Sequence, residues 1–130
     1  MRFLWLLAAL FPTALSAQTY KCDMQAGCPD GFIPPVIFIG LDRAVGSAAV
    51  YDAYVNEVYK APIPVDTTKR SEALWKLRWT VDGIPTRNSG GAEVRYSATF
   101  NIARKTLVLN GDYIGADNRI AGSGRCSQVK

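Results

Sequence analysis

The sequence predicts an all-β protein: a small antiparallel β-barrel or half-barrel of six to seven strands that follow one another as a meander. The main observation is the alternation of apolar and polar residues over 72–82 and 92–102, because a period of two places one face of a strand in the core. Turn-forming residues at 82–85 and 115–118 limit the length of such segments. The chain after residue 17 is long enough to build one hydrophobic core, so we expect a single domain.

In chain order, the first predicted strand follows two prolines. Residues 36–39 form a continuous apolar run, which predicts a strand buried on both faces or at a crowded point. The segment 48–59 is ambiguous: its tyrosines and valines recur every four residues, as in an amphipathic helix, yet these residue types also favour strands. Because its neighbours are strands and Pro62 and Pro64 indicate a loop after it, we expect 48–59 to be β.

The second half of the chain contributes the remaining strands. They are predicted over 72–82, 92–102, 106–114 and 119–127. Asn110-Gly111 is a favourable tight-turn pair, but a turn there would leave a short strand at 106–109, so we expect the turn at 115–118. Gly122-Ser123-Gly124 lies in the last strand without a following helix, which indicates a bulge or a close approach of two backbones rather than a phosphate loop.

The N-terminus has the order of residues typical of a secretory signal peptide. Arg2 supplies a positive charge, residues 3–11 form an uncharged apolar run, and small residues follow at 14–17. The run is far shorter than the roughly 20 residues that span a bilayer, so no membrane span is expected. We expect cleavage after Ala17, with cleavage after Ser16 as the alternative, and a mature domain of residues 18–130 that is periplasmic or secreted.

Three cysteines are present: Cys22, Cys28 and Cys126. An exported chain meets an oxidising compartment, so we expect two of them to be paired. A Cys22–Cys126 disulfide is the first choice, because it ties the start of the domain to its end and constrains the unfolded chain by about 4–5 kcal/mol. Pairing of Cys28 with either of the others remains open.

The composition argues against several classes of activity. No histidine is present, which removes the commonest general base and metal ligand, so we expect no enzyme, metal or cofactor. Asp112 and Asp117 are interpreted as turn formers rather than as an acid–base or calcium-binding pair, although a carboxylate-only hydrolase remains an alternative. The formal charge is +4, and the basic residues are dispersed among acidic ones, which argues against a nucleic-acid partner.

Two groups of residues are candidates for binding. The first comprises the aromatic residues of the two clearest strands: Trp75, Trp79, Tyr96 and Phe100. They are predicted to share an inner face, either as the core or, less favoured, as the wall of a pocket for a small apolar ligand. The second is the loop 83–91, in which Thr86, Arg87 and Asn88 either contact a partner or simply connect two strands, the latter being favoured.

Short motifs of this chain resemble those of two families. Tyr20-Lys21-Cys22, Arg78-Trp79-Thr80 and the C-terminal stretch 122–126 resemble those of short exported bacterial β-proteins of no assigned activity. Tyr20-Lys21-Cys22, together with Ser89-Gly90-Gly91 before Tyr96, is similar to motifs of periplasmic inhibitors of C-type lysozyme, although the tyrosine is displaced and no inhibitory residue is carried over.

The sequence therefore predicts an exported, non-enzymatic β-barrel-like protein that binds a partner or helps to maintain the envelope. The alternatives are a periplasmic inhibitor of a lysozyme-type envelope hydrolase and a carrier of a small apolar ligand. The partner would then be an envelope protein or a small apolar molecule.

Overall fold

The computed structural model describes residues 17–26, 32–86, 91–115 and 119–129, which form eight antiparallel strands and one short helix. In chain order these are β1 (Ala17–Ala26), β2 (Val36–Asp42), β3 (Ser47–Tyr51), α1 (Ala53–Tyr59), β4 (Ile63–Lys69), β5 (Leu74–Ile84), β6 (Ala92–Asn101), β7 (Thr106–Tyr113) and β8 (Arg119–Val129). Each strand pairs with the next, and β8 returns to pair with β1, which closes the barrel. The all-β class, the barrel and the meander order are thus confirmed. The predicted signal peptide, apart from Ala17, lies outside the described residues.

The number of strands was predicted wrongly, since the barrel has eight rather than six to seven. The two additional strands are β1 and β4. The prolines at 62 and 64 indicated a loop, but Pro64 lies in the part of β4 that pairs with β3 alone, while residues 66–69 pair with β5. A proline is tolerated in a strand where one side has no neighbour, so the ladder continues through it.

The segment 48–59 is a strand only in part. β3 ends at Tyr51, and Asp52, with an extended φ of −153°, begins α1 by accepting a hydrogen bond from the Val55 N–H at 2.9 Å. The helix ends where Lys60 adopts a left-handed φ of 63° and its N–H donates to the Asn56 carbonyl. The prediction of β structure was therefore wrong for 53–59, because the capping residue and the four-residue period outweighed strand propensity.

The other predicted strands are present with small changes at their ends. Asn110-Gly111 lies inside β7, as expected, and the chain turns at Ile114 and Gly115. β5 runs further than expected because Gly83, at a φ of 99°, produces a register shift between Asp82 and Ile84. The continuous apolar run 36–39 is fully buried on its inner face only, since its outward-facing residues are half-buried.

The barrel interior is filled with side chains that alternate inward along each strand. The largest fully buried ones are Trp75, Phe100, Ile37, Ile39, Leu41, Leu77, Leu107 and Leu109. An eight-stranded barrel has an interior just wide enough for such a core. Gly124 lets β1 approach closely, because a Cβ there would overlap the Asp23 carbonyl oxygen and lie 2.6 Å from the Met24 sulfur.

Cys22 of β1 and Cys126 of β8 are cross-strand partners and form a disulfide inside the barrel, at the seam where the sheet closes. This is the first-choice pairing from the sequence, and it is compatible with an oxidising compartment. Cys28 lies outside the described residues.

The two ends of the barrel differ. At one end, here called the turn end, the short segments 43–46, 70–73 and 102–105 join neighbouring strands. At the other, the loop end, longer connections leave β1, β3 and β5, and α1 lies within one of them, packed against β5. Within the described ranges, no helix has the length and apolar character needed to cross a membrane.

Candidate functional site

The four aromatic residues singled out from the sequence lie together in the core. Trp75 pairs with Phe100 and Trp79 with Tyr96 across β5 and β6, and all four are at most 6 % exposed. The Trp79 and Tyr96 rings stack with centroids 5.3 Å apart, while Tyr20 contacts Phe100 edge to face at 5.1 Å. All four side chains are therefore part of the packed interior, and Trp79 and Tyr96 also border a surface cleft beside Ile63 and Pro64, where β4 has separated from β5.

The two tryptophans differ in how their indole N–H groups are satisfied. Trp75 Nε1 donates to the Glu72 carbonyl at 3.4 Å. Trp79 Nε1 is buried and has no hydrogen-bond partner among the described residues. A buried donor without an acceptor costs about 1–3 kcal/mol, so the Trp79 indole lowers the stability of the stacked pair at the middle of β5 and β6.

A second aromatic group, here called the mouth cluster, covers the loop end and consists of Phe32, Tyr54 and Tyr113. The Phe32 ring lies 5.9 Å from that of Tyr54 and 5.6 Å from that of Tyr113, and all three residues are only partly buried. Each comes from a different connection or strand end, so the cluster exists only in the folded barrel. Sequence reasoning missed it, because no local pattern unites these three positions.

The mouth cluster is anchored to the core by Tyr96. The Tyr96 hydroxyl donates to the Phe32 carbonyl at 2.6 Å, across 64 residues of sequence. Ile33 is buried beside it and would lie 2.9 Å from a Cβ at position 122, so the glycine there makes room for this segment. The 32–35 segment therefore packs into the barrel mouth and is held there by the hydrogen bond from the Tyr96 hydroxyl.

Two exposed apolar side chains lie in other connections of the loop end. Tyr59 at the end of α1 is 41 % exposed and Ile114 in the β7–β8 turn is 38 % exposed. The Tyr59 hydroxyl also accepts from the Asp82 N–H at 3.2 Å and reaches the Thr80 carbonyl at 3.5 Å. It thereby bridges the edge of β5 where β4 has separated from it. Partly exposed aromatic side chains in mutual contact, such as those of the mouth cluster, are typical of the centre of a protein-binding surface.

Asp52 is the one buried charged side chain among the described residues, at 4 % exposure. Burial raises the pKa of its carboxyl above the ordinary value, although hydrogen bonds from the Val55 and Tyr54 backbone N–H groups oppose the shift. Burial, followed by the charge of Asp52, also raises the pKa of Tyr54, and the pKa of Tyr96 is raised by burial and by the same charge. Asp52 thus begins the helix, and its ionised carboxylate places a negative charge behind the mouth cluster.

The predicted partner loop is shorter than expected, because Gly83 and Ile84 belong to β5. Thr86 is half-buried at the start of the connection to β6, at the loop end. Arg87 and Asn88 lie outside the described residues, so their proposed contact with a partner stays a prediction.

The carboxylate pair considered from the sequence is likewise only half described. Asp112 is exposed on the barrel wall, 3.9 Å from Arg119, and Asp117 is not among the described residues. Within the described ranges, no group of three or more histidine, cysteine, aspartate or glutamate side chains is placed to hold a metal ion.

Comparison with known proteins returns no relative for this chain: no family model, no curated protein and no solved structure matches it.

Proposed function

We propose that the protein is an exported, non-enzymatic binding domain whose loop end recognises a protein partner of the cell envelope. The observation that carries this proposal is the contrast between a filled interior and a partly exposed mouth cluster. Rigid β scaffolds usually present recognition residues on the loops at one end, and the long connections of this barrel meet there.

The filled interior also bears on the choice between the alternatives. A carrier of a small apolar ligand needs an internal cavity, whereas Trp75, Trp79 and Phe100 occupy the space that such a ligand would take. An inhibitor of a lysozyme-type hydrolase needs only a firm surface that fits the enzyme. We therefore keep inhibition as the second candidate, favoured over the carrier by the packed core.

Capture from a detergent-solubilised envelope extract tests the main proposal, with residues 18–130 immobilised and two matched variants compared. Ile114→Arg places a charge at the loop end, and Val108→Arg places the same charge on the barrel wall, where Val108 is 47 % exposed. A specific partner should be retained by the native protein and by Val108→Arg, and lost with Ile114→Arg. Equal retention by both variants would contradict recognition at the loop end.

The inhibitor candidate is tested separately. Native protein at a large molar excess should slow a C-type lysozyme in a cell-wall clearing assay, and Ile114→Arg should weaken the effect while Val108→Arg should not. Unchanged lysozyme activity rules out this candidate without affecting the capture experiment. Export itself is tested by the intact mass of the secreted protein, which should begin at Gln18.

A further inference from the structure

The turn end gathers basic residues that are far apart in the sequence. Its exposed cations are Arg43, Lys69, Arg70, Arg104 and Lys105. The sequence shows these residues as dispersed, but the meander order returns each of their turns to the same end of the barrel. One contact joins two of these turns, because the Ile102 N–H donates to the Ala73 carbonyl at 2.7 Å. The charge of Arg43 in the third turn also contributes, after that of Lys69, to lowering the pKa of Glu72.

The acidic residues of this end are few and already engaged. Asp42 accepts hydrogen bonds from the Ala44 and Val45 N–H groups, at 3.1 and 3.2 Å. Glu72 accepts from Lys69 Nζ at 2.7 Å. With five cations and these two carboxylates, the turns and their flanking residues carry a net charge of +3. The formal charge of +4 falls to the same +3 when a signal peptide containing one arginine is removed, so the rest of the mature chain is balanced.

An apolar side chain lies among these cations. Val45 is 75 % exposed at the tip of the β2–β3 turn, the most exposed of the large apolar side chains described. The hydrogen bonds that the Asp42 carboxylate accepts from the Ala44 and Val45 N–H groups, together with the left-handed φ of 78° at Gly46, fix the turn that presents it. An exposed valine is of no benefit in binding a soluble polyanion, but apolar side chains surrounded by cations are typical of surfaces that enter the lipid interface.

We propose that the turn end docks on a bilayer surface rich in anionic phospholipid, with the five cations at the headgroup phosphates and Val45 entering the interface. This inference goes beyond the proposed function and does not depend on it, because it concerns the opposite end of the barrel. Each basic side chain near an anionic membrane contributes about fivefold to partitioning, so several acting together give measurable binding without a spanning segment.

Vesicle flotation of the purified domain, residues 18–130, tests this proposal. Binding should occur to vesicles containing phosphatidylglycerol, should be absent with phosphatidylcholine alone, and should be lost at about 1 M salt, where the screening length is only about 3 Å. The double substitution Arg104→Gln/Lys105→Gln should lower partitioning roughly 25-fold. Val45→Ser should lower it by up to about tenfold and leave the salt dependence intact.

A matched control separates docking by this end from general attraction. Arg78→Gln/Arg95→Gln removes the same charge from the outer barrel wall, and partitioning should remain within about twofold of the native value. Equal losses for the two double variants would overturn the proposal, as would binding to phosphatidylcholine or no binding at all. Urea unfolding of each variant confirms that the barrel is intact.

Discussion

The unpartnered indole of Trp79 gives a sharp test of the core, because Trp75 offers a matched comparison. Both side chains are buried, Trp79 at 6 % and Trp75 at 1 % exposure, but among the described residues only the Trp75 indole N–H has an acceptor. Replacing either by phenylalanine shrinks the apolar ring and costs about 1.5–2 kcal/mol in lost burial. At Trp75 the lost hydrogen bond adds about 1 kcal/mol, whereas at Trp79 removal of the unsatisfied donor returns about 1–3 kcal/mol.

We therefore expect the free energy of unfolding of Trp79→Phe to lie within about 1 kcal/mol of the native value, and that of Trp75→Phe to be lower by about 2.5–3 kcal/mol. Trp79→Ala should still cost about 3–5 kcal/mol, since it empties the space beside Tyr96. Urea unfolding followed by far-UV circular dichroism measures all three variants, and each retains one tryptophan of the mature chain as a fluorescent reporter. A Trp79→Phe protein as unstable as Trp75→Phe would refute the reasoning.

Three further predictions concern the seam, the helix and the glycines. Replacing Cys22 and Cys126 by alanine should lower the free energy of unfolding by about 2–5 kcal/mol, and titration of three free thiols in the native protein would contradict the disulfide. Because the pKa of Asp52 is raised from 3.8 in the folded state, its protonated form favours folding, and this contribution is lost as pH rises through the folded pKa. We therefore expect the unfolding free energy of the native protein, minus that of Asp52→Asn, to fall as pH rises from about 4, as measured by urea titration. A difference that does not change with pH would show that burial does not raise the pKa of this carboxyl. Gly124→Ala should destabilise the barrel by about 1–3 kcal/mol through overlap with β1, whereas Gly40→Ala, which meets nothing within 4 Å, should change thermal stability by less than about 0.5 kcal/mol; equal effects would argue against close packing of β1 on β8.

Where local pattern and tertiary environment agree, the sequence predicts the structure well. β6 is found at Ala92–Asn101 because alternation there reflects one buried and one open face. The prediction for 48–59 failed because valine and tyrosine occur in both helices and strands. Only the capping role of Asp52 distinguishes a helix from a strand here. An aspartate directly before apolar residues that recur every four positions is the signal that would have located α1.

The candidate surfaces were much harder to predict than the strands. The mouth cluster and the basic turn end each unite residues from several connections, and their proximity follows from barrel closure rather than from spacing along the chain. The dispersed cations illustrate this: Arg43 and Arg104 have no relation in sequence, yet they share an end of the molecule. Once eight strands are placed in meander order, both groupings follow.

The disulfide at the closing seam has a consequence for the timing of biogenesis. Cys22 and Cys126 are separated by 104 residues, and β8 is synthesised after the other seven strands, so the native bond cannot form until synthesis has passed residue 126. Until then Cys28, close behind Cys22 in sequence, is the one available thiol partner within the chain. A Cys22–Cys28 bond made early would have to be exchanged before the first and last strands could be joined. Correct oxidation therefore requires Cys22 to stay reduced, or its first disulfide to stay exchangeable, while the 104 residues up to Cys126 are made.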